Sequence, residues 1–227
     1  MHPPEVYLAV DAVVFGYRAG VLRVLTIEQT RGALAGRRAL PGGFVRGGEG
    51  LRAAVERELL EEAGLRVNYL EQLRTYGDDV GRDPRAQVAT VAYWALVRPS
   101  AVVADVSGDA RNAQWDQLAA LGPLAFDHDR IVADAHARLQ AKLKYQPVGF
   151  ELLPEVFGFS DLEKLYGAIL GRAVDRRNFR KKVLGFGILE ETGEVRSEGR
   201  GRPATLYRFD AGRYRELERE GFLFDIR

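Results

Sequence analysis

The sequence predicts an α+β protein of two domains, residues 1–146 and 147–227. Three observations carry that reading. A hairpin rich in β-branched residues is followed by a Gly- and Pro-free helix and a further strand. The segment Tyr145-Gln146-Pro147-Val148-Gly149 then breaks any helical pattern. Beyond it, two short helices precede two short strands.

In order, Val6 to Phe15 and Val21 to Ile27 form the hairpin around a Gly-containing turn. Leu51 to Ala63 is a helix of good formers that stops at Gly64. Val88 to Val97 is a strand ended by Pro99. Asp127 caps a helix running to about Lys144, with Ile131, Ala135, Leu139 and Leu143 on one face. In the second domain Ser160-Asp161-Leu162-Glu163 has the capping-box pattern of a helix reaching Leu170. A further helix runs from Asp175 to about Gly185, and strands follow at Ile188-Leu189 and Thr205 to Phe209. Helix, turn, helix, hairpin is the order of a winged helix-turn-helix. The tail from Asp210 reads as a solvated helix ending before Gly221.

Composition narrows the function classes. Apolar residues make up 46% and charged residues 29%, which excludes bulk disorder. Cysteine is absent, so disulfides, thiolate zinc sites and cysteine nucleophiles are excluded. No apolar run has the length of a membrane span, and the N-terminus does not read as a signal peptide, so a cytoplasmic protein with no membrane partner is expected. The formal net charge is +1, but Arg172 to Arg208 holds ten Lys/Arg against five Asp/Glu. A local excess of that kind points to an anionic partner.

The most specific pattern lies between Gly43 and Leu65. It reads Gly43, five residues, Glu49, seven residues, then Arg57-Glu58-Leu59-Leu60-Glu61-Glu62-Ala63-Gly64-Leu65. Glu58, Glu61 and Glu62 share one helix face, where like charges repel unless a cation intervenes. A hard cation such as Mg²⁺ suits carboxylates combined with water and phosphate oxygens. The loop Leu40-Pro41-Gly42-Gly43-Phe44 lets backbone approach a ligand closely.

This segment resembles the Nudix box, Gly-x5-Glu-x7-Arg-Glu-U-x-Glu-Glu-x-Gly-U with U aliphatic, at every fixed position. The resemblance implies an α/β/α sandwich that uses Mg²⁺ or Mn²⁺ on a nucleoside diphosphate derivative. Glu58, Glu61 and Glu62 are then the metal ligands, Glu49 and Arg57 the pair orienting loop and helix, and Gly42 and Gly43 the ligand-approach residues. Asp78, Asp79 and Asp83 are open candidates for a general base.

In the second domain Phe179, Val183 and Phe186 form an apolar stripe, leaving Arg177, Arg180 and Lys181 to point outward. A cationic front on the second helix of such a module suits the major groove. With Arg176, Asn178 and the arginines Arg200 and Arg202 of the hairpin tip, these are the candidate DNA-binding residues. Together with Gly201-Arg202-Pro203-Ala204-Thr205-Leu206-Tyr207, the whole chain resembles the NrtR-type Nudix-related transcriptional regulators. That resemblance implies a homodimer that binds operator DNA and senses ADP-ribose or a related nucleotide of NAD or sugar metabolism. Arg82 and Arg85, within Arg82-Asp83-Pro84-Arg85, are carried over from it as ligand-loop residues. The box is complete, so Mg²⁺-dependent pyrophosphatase activity on ADP-ribose is the alternative. His128 and His136 are read as surface or packing residues, and Trp94 and Trp115 as core.

Overall fold

The computed structural model describes residues 5–30, 32–67, 69–98, 113–197 and 203–226. It divides into two compact units. Within the described residues, one comprises the chain up to Gly16 together with Arg23–His136, and the other Tyr17–Leu22 together with the chain from Ala137 onward.

The first unit is organised by a mixed sheet. Strand β1 (Tyr7–Arg18) turns into β2 (Val21–Glu28) through Ala19 and Gly20, both at positive φ, the geometry of a tight hairpin turn whose twist matches the strands. β1 also runs parallel to β6 (Val88–Val97), in register from Tyr7 against Val88 to Gly16 against Val97. Such a parallel pair needs a crossover. The crossover contains α1 (Leu51–Ala63) and β5 (Tyr69–Tyr76), which returns antiparallel along β6. Three short strands complete the sheet: β3 (Arg38–Ala39) on β2, β4 (Gly42–Phe44) on β1, and β7 (Gln114–Gln117) on β2. The sequence pattern assigns no element to β3, β5 or β7 and reads the β4 segment as a loop.

β1 and β6 are buried along most of their length, hence their near-continuous apolar runs. Their side chains on one face close a core with Ala54, Val55, Leu59 and Ala63 of α1. α1 ends as its sequence requires: Gly64 adopts φ +60° and Leu65 N–H returns to Leu59 C=O at 3.1 Å. Helix α2 (His128–Lys142) begins one residue after Asp127 and passes the division between the units. Trp94 is fully buried, and Trp115 stands against Gly16, where a Cβ would meet its ring.

The second unit has the winged-helix order. β8 (Val156–Gly158) leads into α3 (Phe159–Leu170), then α4 (Arg176–Gly185), β9 (Leu189–Arg196) and β10 (Ala204–Phe209), with sheet order β8-β10-β9. Its core is aromatic: Phe150 stacks on Phe209 with centroids 4.3 Å apart, and Phe179 packs edge-on to Phe159 and against Tyr166. β8 was missed, being three residues whose only support is its partner β10. The start of α3 also differs from the capping box expected at Ser160. The cap position is Gly158, whose N–H donates to Asp161 at 2.9 Å, and Asp161 pairs with Arg196 as well. Helix α5 (Ala211–Arg219) buries no residue and is capped by Asp210, which accepts from Arg213 N–H. No described helix is long and apolar enough to cross a membrane.

Candidate functional site

The carboxylates of α1 are held by arginines. Arg57 makes a two-point contact with Glu49 at 2.7 and 2.9 Å. Its remaining nitrogen reaches Glu58 at 2.6 Å and Glu61 at 3.2 Å, and Arg46 adds a second cation to Glu61. Glu62 accepts from Gly42 N–H at 2.8 Å. The three candidate metal ligands therefore do not converge here. Among the described residues no group of three His, Asp or Glu side chains is arranged around a common point. Each carboxylate is instead satisfied by an arginine or N–H partner from the chain itself, which offsets the repulsion expected among them. Oxygen donors within one helical turn nevertheless fit Mg²⁺ or Mn²⁺ in kind.

The pair Glu49–Arg57 ties the loop to the helix, since Glu49 also accepts from Arg46 N–H. The hydrogen bonds from Arg57 hold the Glu49 carboxyl down at about 2. That folded value lies below the unfolded one, so the contact stabilises fully above the ordinary Glu range and is lost as pH falls toward 2. Glu49→Gln should therefore flatten the acid limb of a melting-temperature profile and leave its shape above pH 6 unchanged. An acid limb identical to that of the wild type would contradict this.

Gly42 is sterically obligatory, because backbone blocks it, whereas at Gly43 only the end of the Glu58 side chain would have to move. A Cβ on Gly42 would run into Val10 C=O and Asp11, and one on Gly43 into Glu58. Together with Glu62 they line a cavity of about 140 Å³ whose other walls include Asp11, Arg82, Arg85, Phe126 and His128.

Its floor is a buried polar array. Arg82 donates from Nε and Nη2 to Asp127 and lies 3.6 Å from Asp11, with its side chain only 3% exposed. His128 Nδ1 accepts from Leu40 N–H at 2.9 Å, and Nε2 lies 3.4 Å from Asp11. Burial alone would raise the Asp11 carboxyl, but His128 and Arg82 outweigh it and hold it below its ordinary value. Arg82 thus faces inward. Arg85 is the cation left to a ligand: half exposed, clamped by Asp83, and set over the faces of Phe44 and Phe126 at 5.2 and 5.3 Å. Phe126 has φ +58°, a strained value for a non-glycine residue. Asp83 is itself held below the usual carboxylate range by Arg85 against the effect of burial, which makes it a poor base. Asp79 serves as a turn former, accepting from Gly81 N–H.

In the second unit, Asp175 caps α4 by accepting from the N–H groups of Arg177 and Asn178, and the Asn178 amide is drawn back onto Asp175. Arg176 pairs with Glu163 at 3.2 Å. Arg177 and Lys181 are exposed and have no ion pair among the described residues, while Phe179 and Val183 face inward. Arg180 is exposed too, but its guanidinium lies over Phe159. Arg200 and Arg202 lie outside the described residues.

The model of the NUDIX domain matches residues 7–135, and that of the NrtR DNA-binding winged helix domain matches 149–209. The chain belongs to the Nudix family, in its NrtR type. Among NrtR-type relatives, a protein of Acinetobacter baylyi described as an ADPR responsive transcriptional repressor is 35% identical over 91% of this chain and 83% of its own. The structure of Shewanella oneidensis NrtR complexed with a 27mer DNA superposes with a TM-score of 0.80 at 34% identity, covering 96% of this chain and 97% of that one. The NUDIX domain of the same protein complexed with ADP ribose matches with a TM-score of 0.53 at 37% identity, covering 60% of this chain and 89% of that one.

In this NrtR-type chain the cavity residues that the sequence pattern does not single out as ligand-facing include Asp11, Phe126 and His128. Asp11 carried a usable signal, as a lone acid within the apolar run Val10-Asp11-Ala12-Val13. His128 is indeed buried, at 3% exposure, but as part of the cavity wall rather than as plain packing.

Proposed function

We propose that this protein is a ligand-responsive transcription regulator. Its winged helix, residues 147–227, binds operator DNA, and its Nudix domain, residues 1–146, senses ADP-ribose or a related nucleotide of NAD or sugar metabolism. The observation that carries the reading is the pairing, in one chain, of a polar cavity presenting Arg85 with a helix whose exposed face presents Arg177 and Lys181. The protein acts in the cytoplasm as a homodimer, so a two-fold protein meets a palindromic site. The ligand changes DNA affinity by as much as it prefers one of two states of the protein.

Selection of genomic fragments by the purified protein, with and without ADP-ribose, tests this. A palindrome should be enriched and its occupancy should change with ligand. Affinity should fall with salt along a log–log slope of about −5 if about six phosphates are neutralised. Enrichment indifferent to every saturating nucleotide tried would remove the sensing role.

A second reading is favoured by the complete motif and by Glu62 at the cavity wall. Here Glu58, Glu61 and Glu62 would hold Mg²⁺ or Mn²⁺, which would supply Lewis-acid activation of the pyrophosphate of ADP-ribose and of the attacking water. Arg85 positions the anion, and Glu49 with Arg57 fixes loop to helix. AMP should appear from ADP-ribose with Mg²⁺ and vanish in Glu62→Gln. No AMP at high protein concentration would leave a site that binds without turnover.

A further inference from the structure

The sequence groups Arg180 with Arg177 and Lys181 as one outward cationic face. In the structure it is set apart from them. Its guanidinium carbon lies 4.7 Å over the Phe159 ring, and Nη2 donates to the Tyr207 hydroxyl at 3.3 Å. That hydroxyl in turn donates to Glu191 at 3.5 Å. Tyr207 can do this because of an irregularity in β9, which spends four residues against two of β10. The pairing with β9 shifts between Thr205 and Tyr207, which places Tyr207 opposite Glu191, and Thr192 braces the irregularity by donating to Leu206 C=O. The Tyr207 ring is buried, at 3% exposure, so the phenol oxygen is a fixed point.

These residues form one wall of an open notch between α4 and β10, lined also by Ser160, Arg176 and Thr205. Arg176 is paired with Glu163, and Glu191, which also lines the notch, accepts from the Tyr207 hydroxyl. Arg180 is therefore the lining cation with no ion pair among the described residues. We propose that this notch holds a backbone phosphate of bound DNA, with Arg180 as the anchor and Tyr207 as its positioning residue. A guanidinium already stacked and tethered loses little freedom on meeting a phosphate, whereas exposed Arg177 and Lys181 must be ordered. The notch thus sets the helix in place whatever the sequence, leaving base edges to the free cations.

This inference rests on the DNA-binding reading, and the test separates the two. Binding of the full-length protein is measured on the selected palindrome and on an unrelated duplex of equal length, across a salt series. Tyr207→Phe keeps the ring and removes only the tether. It should weaken both duplexes alike, by about three- to tenfold, with the salt slope unchanged. Arg180→Ala should weaken both more and reduce the magnitude of the slope by about 1. The double variant should be no worse than Arg180→Ala, a non-additivity that a merely structural tyrosine would not produce. Wild-type affinity in Tyr207→Phe, additive losses, or losses confined to the palindrome would overturn the anchor. So would inorganic phosphate raising the melting temperature of the wild type but not of Arg180→Ala, which would assign the notch to a free anion. Arg180→Ala alone decides if Tyr207→Phe melts early. If the wild type binds neither duplex, the DNA-binding reading itself falls and takes the anchor with it.

Discussion

Arg82→Ala is expected to lower the stability of the first unit by about 3–5 kcal/mol, a fall in melting temperature on the order of 10 °C. The reason is electrostatic rather than steric. Arg82 is the buried cation between Asp11 and Asp127, and its removal leaves two carboxylates with too little compensation. Asp11 keeps Thr90 and His128, the latter already committed through Nδ1 to Leu40. The pH dependence gives the cause away. In the wild type Asp11 sits below its ordinary value, so its contribution is full above pH ~4 and lost in acid. In the variant the carboxyl should move above that value, so protonation favours the fold and the deficit shrinks as pH falls from 8 to 5. A deficit of the same size at both pH values, followed by thermal melting, would argue for lost packing instead.

Phe179→Ala should be as damaging to the second unit, by about 3–5 kcal/mol, because the ring is the hub on which Phe159 and Tyr166 close. The neighbouring exposed positions should be nearly silent in the same melting experiment. DNA binding inverts the ranking: Arg177→Ala and Lys181→Ala should weaken it while leaving stability within about 0.5 kcal/mol. A Phe179→Ala protein that melts like the wild type would mean α4 is not held by this cluster.

These expectations also mark where the sequence was readable. Period and punctuation exposed the hairpin, α1 with its Gly64 stop, β6, α2 and the helix pair of the winged module, because each is decided by residues near in the chain. β3, β4, β7 and β8 were not legible, since strands of two to four residues exist only through partners elsewhere in the chain. The site divides the same way. Gly42, Gly43 and the glutamates were visible as one spaced motif. The Asp11–Arg82–Asp127–His128 array joins residues as much as 117 positions apart, so no window could show that Arg82 faces inward while Arg85 does not. For Arg180 the helical wheel gave a direction correctly enough, but not the bend of a long side chain back onto Phe159 and Tyr207.

The arginines around α1 have a further consequence. Arg57 and Arg46 act as built-in counter-ions: the carboxylates that would be most unhappy without metal already have their charge balanced from within the chain. Any cation or anion that binds these groups therefore exchanges one partner for another and meets no unbalanced charge.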